Sequence, residues 1–362
     1  MKVTLVILFL LFIIIIGFLR FCPSFGRTGS KEDRKDYEKR ASNYKDGKFR
    51  NDGEFRLMSG RNNGEKNNVV SKSAIVPTSE VPVRAPKIEQ SLDQAAVTVT
   101  WFGHSSILLQ INGRNILMDP VFSKFASPVS FAGPKRFSEP PITVEALPKI
   151  DLVLLSHDHY DHLDYKTIRA IDHKVGAYLV PLGVEKHLER WKISKKKVKN
   201  LAWWEETSIY GLTIACTPTR HFSGRGLTDH FKSLWCSWVI KADSYQVFAS
   251  GDGGYGTQFK EIRERYGTFD LALMECGQYD KAWPSVHMTP EQTYQAAEEL
   301  EADVILPIHW CAYKLAKHPW DDPVERLLLA AGENETNIVT PRIGQTVDMN
   351  CYEKFRERWW RD

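Results

Sequence analysis

Residues 154–164 read Leu154-Leu155-Ser156-His157-Asp158-His159-Tyr160-Asp161-His162-Leu163-Asp164. They follow an apolar run, Leu152-Val153-Leu154-Leu155, with the composition of a buried strand. A strand that runs into three imidazoles and three carboxylates makes a poor core and a good cation site. Neutral imidazole and carboxylate are the ligands that borderline divalent ions such as zinc prefer. His157 and His159 lie two apart and can grip one ion from one side of a loop. Asp161 and His162 are adjacent, so a turn can send both toward a second ion. The competing account is a polar surface loop that is rich in histidine by accident. Three of the chain's eleven histidines within six positions argue against it.

Further ligands are expected wherever another buried strand ends in a donor, and this happens three times. Ile214-Ala215-Cys216-Thr217-Pro218 is followed by His221, and Phe248-Ala249-Ser250-Gly251 by Asp252. Val304-Ile305-Leu306-Pro307-Ile308 is followed by His309. The glycines of Gly251-Asp252-Gly253-Gly254 would let the backbone come close to an ion. Taken alone, each donor is an ordinary core or surface residue. Together with the His loop they place one ion on His157, His159 and His221, and another on Asp161, His162 and His309. Asp252 would bridge the two.

Upstream of the His loop, Val97–Trp101, Ile107–Ile111 and Asn115–Met118 read as an antiparallel meander turning at Asn112-Gly113. Downstream, helices are expected over Tyr165–Asp172 and Val184–Trp191, flanking a strand at Gly176–Pro181. Strands follow at Leu212–Thr217, Cys236–Lys241, Gln246–Ser250, Leu271–Met274 and Asp303–Pro307. Further helices fall at Phe259–Tyr266, Pro290–Leu300 with Thr289 as N-cap, and Asp322–Ala331 ended by Gly332. The order is β-rich then mixed, twice over, which two face-to-face sheets with helices outside would satisfy.

The chain has 362 residues, 43% hydrophobic and 26% charged, which are globular values. A net charge of +3 is too small to imply nucleic acid. Six scattered cysteines with no C-x-x-C pair argue against a disulfide scaffold or a cysteine-type zinc module. Val3–Leu19 carries no charge over 17 residues, about 26 Å of helix against a bilayer core of about 30 Å. A cleaved signal peptide usually has a shorter apolar region. Residues 1–22 are therefore expected to be an uncleaved single-pass membrane anchor. The excess of Arg20, Arg27, Lys31, Arg34 and Lys35 over Lys2 would place the catalytic domain in the cytoplasm. Residues 23–93 read as a polar linker, 94–350 as the folded domain and 351–362 as a C-terminal tail. Trp359 and Trp360 of the tail would either lie at the bilayer surface or dock on the domain.

The pattern from His157 to His162, H-x-H-x-D-H, resembles the signature of the metallo-β-lactamase superfamily. The resemblance sharpens through Trp101-Phe102-Gly103-His104-Ser105-Ser106, Asp119-Pro120-Val121-Phe122-Ser123 and Gly133-Pro134-Lys135-Arg136-Phe137. It continues through Leu234-Trp235-Cys236-Ser237-Trp238, Ser250-Gly251-Asp252-Gly253-Gly254-Tyr255, His287-Met288-Thr289-Pro290-Glu291 and Pro307-Ile308-His309-Trp310. These stretches are similar to N-acyl-phosphatidylethanolamine-hydrolysing phospholipase D and its bacterial relatives, over roughly Ser42 to Asn350.

The resemblance implies an α+β fold, the metallo-β-lactamase αββα sandwich, holding two zinc ions on the seven residues named above. It also implies a membrane phospholipid as substrate and the bilayer as partner. Asp161 and Asp252 would serve catalysis beside the metals, and His287 would fall next to the substrate. The expected reaction is attack of a metal-activated hydroxide on a phosphodiester, giving phosphatidate and an N-acylethanolamine. Asp119 would either orient a ligand histidine or serve as a turn residue before Pro120. His104 is a second candidate for orienting a ligand, and Tyr160, Trp283 and Trp310 are candidates for the substrate path. A lactonase or amidase on the same fold would keep every ligand. An RNA phosphodiesterase would need a basic exosite beyond Lys195-Lys196-Lys197. A non-catalytic metal-binding protein would usually lack a ligand, and none is missing.

Overall fold

A computed structural model describes residues 2–58, 74–89 and 96–362. The polar stretch Asn62–Lys72 lies outside the described residues. Helix α1 (Lys2–Phe21) is followed by α2 (Lys31–Arg40) and a small hairpin, β1 (Tyr44–Lys45) with β2 (Lys48–Phe49). The meander comes next as β3 (Thr98–Trp101), β4 (Ile107–Ile111) and β5 (Arg114–Met118). Asn112 and Gly113 both take left-handed φ, 53° and 68°, which an Asn-Gly hairpin turn favours. β6 (Ile150–Leu154), α3 (Tyr165–Ile171), β7 (Val175–Pro181), α4 (Glu185–Arg190) and β8 (Val198–Leu201) extend the sheet by parallel pairing.

The second half repeats the plan. β9 (Glu206–Ile209), β10 (Leu212–Thr217), β11 (Ser237–Lys241) and β12 (Gln246–Ala249) pair antiparallel. They are followed by α5 (Gln258–Tyr266), β13 (Phe269–Glu275), α6 (Pro290–Glu299) and β14 (Ala302–Ile308), with parallel pairing from β12 to β14. After α7 (Asp322–Ala331), β15 (Thr346–Asp348) returns to pair with β3. The result is a seven-stranded sheet in the order β15-β3-β4-β5-β6-β7-β8 and a six-stranded sheet in the order β14-β13-β12-β11-β10-β9.

Side-chain alternation explains the layering. Ile107, Leu109 and Ile111 of β4, with Ile116 and Met118 of β5, pack into the core shared with the second sheet. Leu108 and Leu117 point the other way, onto Ile168 and Ile171 of α3 and Leu188 of α4. Strands buried on both faces need no polar face, which is why β4 is apolar almost throughout. Helix α6 starts where Thr289 predicts, with a complete capping box to Gln292.

The N-terminal expectations are corrected. Among the described residues no helix is long and apolar enough to cross a membrane, so the single-pass anchor and the localisation drawn from it fall. The physical reason lies in the run itself, which is unbroken only from Val3 to Leu19, about 26 Å, and ends at Arg20. Its exit is fixed to the domain rather than to a free tether. Arg190 donates to the Arg20 carbonyl at 3.1 Å, and the Trp191 indole to that of Pro23 at 2.7 Å.

Much of the expected linker is folded onto the domain. Tyr37, Tyr44 and Phe49 bury against Leu182, Leu234 and Trp235, and Arg40 grips Glu205 through two nitrogens. Composition concealed this because three aromatic anchors suffice to seat a chain whose other face is solvated. The C-terminal residues likewise dock. Trp359 and Trp360 are buried against Trp310, leaving neither free for a bilayer surface.

If the segment is seated as described, Phe49→Ala should lower stability by about 3–5 kcal/mol. Chemical denaturation of the full chain measures this; a freely solvated linker would give no change.

Candidate metal centre

Every donor sits just past the same end of a strand. β6 delivers the His loop, β10 His221, β12 Asp252 and β14 His309. Two backbone bonds stitch these loops across the sandwich, from His309 N to the His104 carbonyl at 2.9 Å and from Cys236 N to the Ser156 carbonyl at 2.9 Å. Gly251 has φ 55°, and a Cβ there would meet the Cys236 carbonyl at 2.6 Å and Ser156 at 2.8 Å. A Cβ on Gly253 would collide with Thr219. The glycines around Asp252 therefore allow loops to pack against one another, where the sequence suggested approach to an ion.

The structure brings the seven expected ligands together in two groups. His157, His159 and His221 form one, with His157 Nε2 2.9 Å and His221 Nε2 3.2 Å from His159 Nδ1. Asp161, His162 and His309 form the other, and His104 joins it. Asp252 lies between them. Its Oδ2 is 3.0 Å from both His162 Nε2 and His309 Nε2, 3.8 Å from His221 Nε2 and 3.9 Å from His157 Nε2.

The ring orientations are fixed from behind. His162 Nδ1 donates to Asp119 Oδ2 at 2.8 Å, and His221 Nδ1 to the Val286 carbonyl at 3.1 Å. The Ser156 hydroxyl donates to Asp119 Oδ2 at 2.5 Å, which leaves its oxygen to accept from His157 Nδ1 at 2.9 Å. Asp119 thus orients two histidines, one directly and one through Ser156, and its other oxygen accepts from Ser156 N at 2.7 Å. That decides between its two readings, and the left-handed φ of 39° shows it shapes the turn as well. His104 contacts Asp161 Oδ2 at 2.8 Å, so it braces a carboxylate rather than a histidine.

With their Nδ1 protons engaged, His157 and His221 present Nε2 lone pairs toward His159 Nδ1 and Asp252. Burial, and then the neighbouring imidazoles, hold His157 well below the ordinary histidine range. Burial also lowers His159 and His221, so this group is neutral. Burial would lower His162 and His309 too, but Asp252 and Asp161 override it, lifting His162 well above its usual value and His309 to about 10. Both carboxylates are held ionised, well below their usual range, by these imidazoles. Asp252 Oδ1 is buried with no hydrogen-bond partner among the described residues, and His162 Nε2, although 3.0 Å from Asp252 Oδ2, makes no well-aligned hydrogen bond. Converging lone pairs, two buried carboxylates and orphaned donor atoms fit divalent cations.

His287 lies on the rim, its ring stacked on His309 at 5.0 Å and 21°. Its Nδ1 contacts Glu275 Oε2 at 2.8 Å, while Glu275 Oε1 accepts from Met288 N at 2.7 Å. Burial pushes the Glu275 carboxyl up, with His287 pulling it back. Sequence reasoning missed Glu275. The usable signal was a lone acid at the end of the apolar run Leu271-Ala272-Leu273-Met274. Of the candidates for a substrate path, Trp310 is core, buried and stacked between Trp101 and Trp359. Tyr160 packs under the Arg225 guanidinium, and its hydroxyl donates to the Arg225 carbonyl at 2.7 Å. Trp283 is half-buried, with its indole bonded to the Gln278 carbonyl.

Residues 114–310 match the family model of the beta-lactamase superfamily domain. A metallo hydrolase from Ignicoccus hospitalis, Igni18, superposes with a TM-score of 0.54 at 23% identity, covering 70% of this chain and 98% of its own. An uncharacterized protein of Mycobacterium tuberculosis is 39% identical over 297 residues, 81% of this chain and 79% of its own. The N-acyl-phosphatidylethanolamine-hydrolyzing phospholipase D 1 of Caenorhabditis elegans is 32% identical over 284 residues, 74% of this chain and 80% of its own. The chain belongs to the beta-lactamase superfamily, and its relatives include one named for N-acyl-phosphatidylethanolamine hydrolysis. It is a hydrolase.

Asp119→Asn should weaken divalent-metal binding about ten- to a hundredfold, because the tautomer of His162 is no longer enforced. Competition with a chromophoric chelator reads this directly; unchanged affinity would mean Asp119 serves the turn alone.

Proposed function

We propose that the protein is a zinc-dependent phosphodiesterase of phospholipase D type. Its substrate would be a membrane phospholipid resembling N-acyl-phosphatidylethanolamine, and its products phosphatidate and an N-acylethanolamine. The observation that carries the reading is Asp252 Oδ2 placed between two histidine groups, on a chain whose C. elegans relative is named for this reaction. A shared carboxylate between two donor groups suits a pair of ions rather than one.

His157, His159, His221 and Asp252 would hold one zinc, and Asp161, His162, His309 and Asp252 the other. Bound there, the metals supply an activated water and polarise the phosphoryl oxygens. The chain's own residues do the rest. Asp161 and Asp252 fix where the phosphate meets the centre, and each is buried with imidazoles on several sides. The bond between phosphorus and the headgroup oxygen breaks as a bond to the water oxygen forms, and a proton must reach the departing oxygen. His287 would deliver it from Nε2, a role supported by the Glu275 contact at its Nδ1 and by the stacking of its ring on His309.

Purified protein should contain about two zinc ions per chain and release N-acylethanolamine from the phospholipid, with chelation abolishing turnover and zinc restoring it. Asp252→Asn should reduce turnover by at least about 10³-fold while the melting curve stays cooperative. A panel of N-acylated and plain phospholipids, with a lactone as comparison, decides the substrate. Turnover of the lactone alone would sink the phosphodiesterase reading.

A further inference from the structure

The segment that the sequence presents as a linker reaches the metal centre. Phe49, wholly buried, pins the end of the β1–β2 hairpin, and its N–H donates to the Phe231 carbonyl at 2.8 Å. Two bonds between Asn43 and Arg50 close the hairpin, from Arg50 N to the Asn43 carbonyl at 2.8 Å and from Asn43 Nδ2 to the Arg50 carbonyl at 3.0 Å. This leaves Asn51 directly against the ligand His221. The Asn51 amide donates from Nδ2 to the His221 carbonyl at 2.7 Å, and its Oδ1 accepts from His221 N at 3.0 Å. The Trp235 indole donates to the same Oδ1 at 3.2 Å, fixing which way the amide faces.

The contact continues on both sides. Arg220 donates to the carbonyls of Glu54 and, at 2.9 Å, of Tyr255. The Arg220 carbonyl accepts from Gly254 N at 2.8 Å, and Thr219 Oγ1 donates to the Asp252 carbonyl at 3.0 Å. The His221 loop is therefore clasped between the Asp252 loop on one face and residues 49–54 on the other. Outside a strand, the peptide groups of His221 have no ladder partner, and a side-chain amide with one donor and one acceptor can satisfy both at once.

We propose that Asn51 is a positioning residue for the metal centre. By holding both backbone groups of His221, it sets the height and direction of the ring, while Val286 fixes its rotation. The inference rests on the metal-centre reading, but not on the identity of the substrate. It also gives the folded N-terminal segment a chemical role beyond packing: without the strap, one of the two donor groups would lose the fixed position of its third nitrogen.

The test is zinc binding by the full-length chain. Asn51→Ala should weaken one of two zinc sites about ten- to a hundredfold, so that limiting zinc loads about one ion per chain. The visible spectrum of the cobalt-substituted protein should change, while the apo form still unfolds in one cooperative transition at a somewhat lower temperature, because two buried peptide groups lose their partner. Asn51→Asp keeps the acceptor for His221 N but sets a second oxygen against the His221 carbonyl, so it too should weaken that zinc site. It decides the matter should the alanine variant fail to fold. Lys48→Ala, on the exposed side of the same hairpin, should bind zinc like wild type. Wild-type affinity and spectrum in both Asn51 variants would overturn the role of Asn51. Wild-type protein that took up no zinc would overturn the metal-centre reading beneath it.

Discussion

The structure depends on one carboxylate oxygen. Asp252 Oδ2 lies 3.0 Å from an imidazole nitrogen of the first half of the chain, on His162, and 3.0 Å from one of the second half, on His309. A buried carboxylate is costly unless it is surrounded by hydrogen bonds and opposite charge. It can sit here only because loops from both sheets close over the same point. The sandwich supplies that closure, since the strands that carry the donors end on one rim and the loops beyond them meet there. The bond from His309 N to the His104 carbonyl and that from Cys236 N to the Ser156 carbonyl hold the rim shut.

Around this oxygen the protein divides its imidazoles into two electrostatic kinds. His157, His159 and His221 are neutral because burial and mutual repulsion outweigh the carboxylates. His162 and His309, each close to both Asp161 and Asp252, are instead shifted upward by them, a pull that cations bound on the same carboxylates would take over. The difference arises from placement, since all five side chains are chemically the same. Their supports differ too: Asp119 and Ser156 stand behind the His loop, whereas backbone carbonyls of Val286 and Gly277 face His221 and His309. A ligand held by a loop carbonyl is only as well placed as that loop, which is where the clasp on His221 from residues 49–54 becomes important.

Sequence determined a good deal. The strands that carry the site are apolar runs ended by donors, and β10 and α7 appear over the spans that periodicity and capping predict, Leu212–Thr217 and Asp322–Ala331. What it missed shares a physical cause. β8 and β9 are edge strands, Val-Lys-Asn-Leu and Glu-Thr-Ser-Ile, half solvated and without an apolar run. Residues 31–56 are polar in composition, and their attachment rests on Tyr37, Tyr44, Phe49 and single polar contacts whose partners lie far along the chain. At the other extreme, the apolar run at the N-terminus invited a membrane-spanning reading that no helix among the described residues supports.

By itself, then, the chain's order of residues determined the donors: which histidines and aspartates follow buried strands, and that such a set prefers a divalent cation. Local rules suffice for this because strand burial and ligand chemistry are both written in short stretches. The order of residues already pointed to Asp252 as the donor between the two groups; only the tertiary structure showed that its Oδ2 lies 3.0 Å from both His162 and His309, that Asp119 aligns two rings, that Glu275 backs His287 and that Asn51 clasps His221. Each is a contact between residues more than ten positions apart, and no periodicity or propensity carries information about which distant loops meet at one rim.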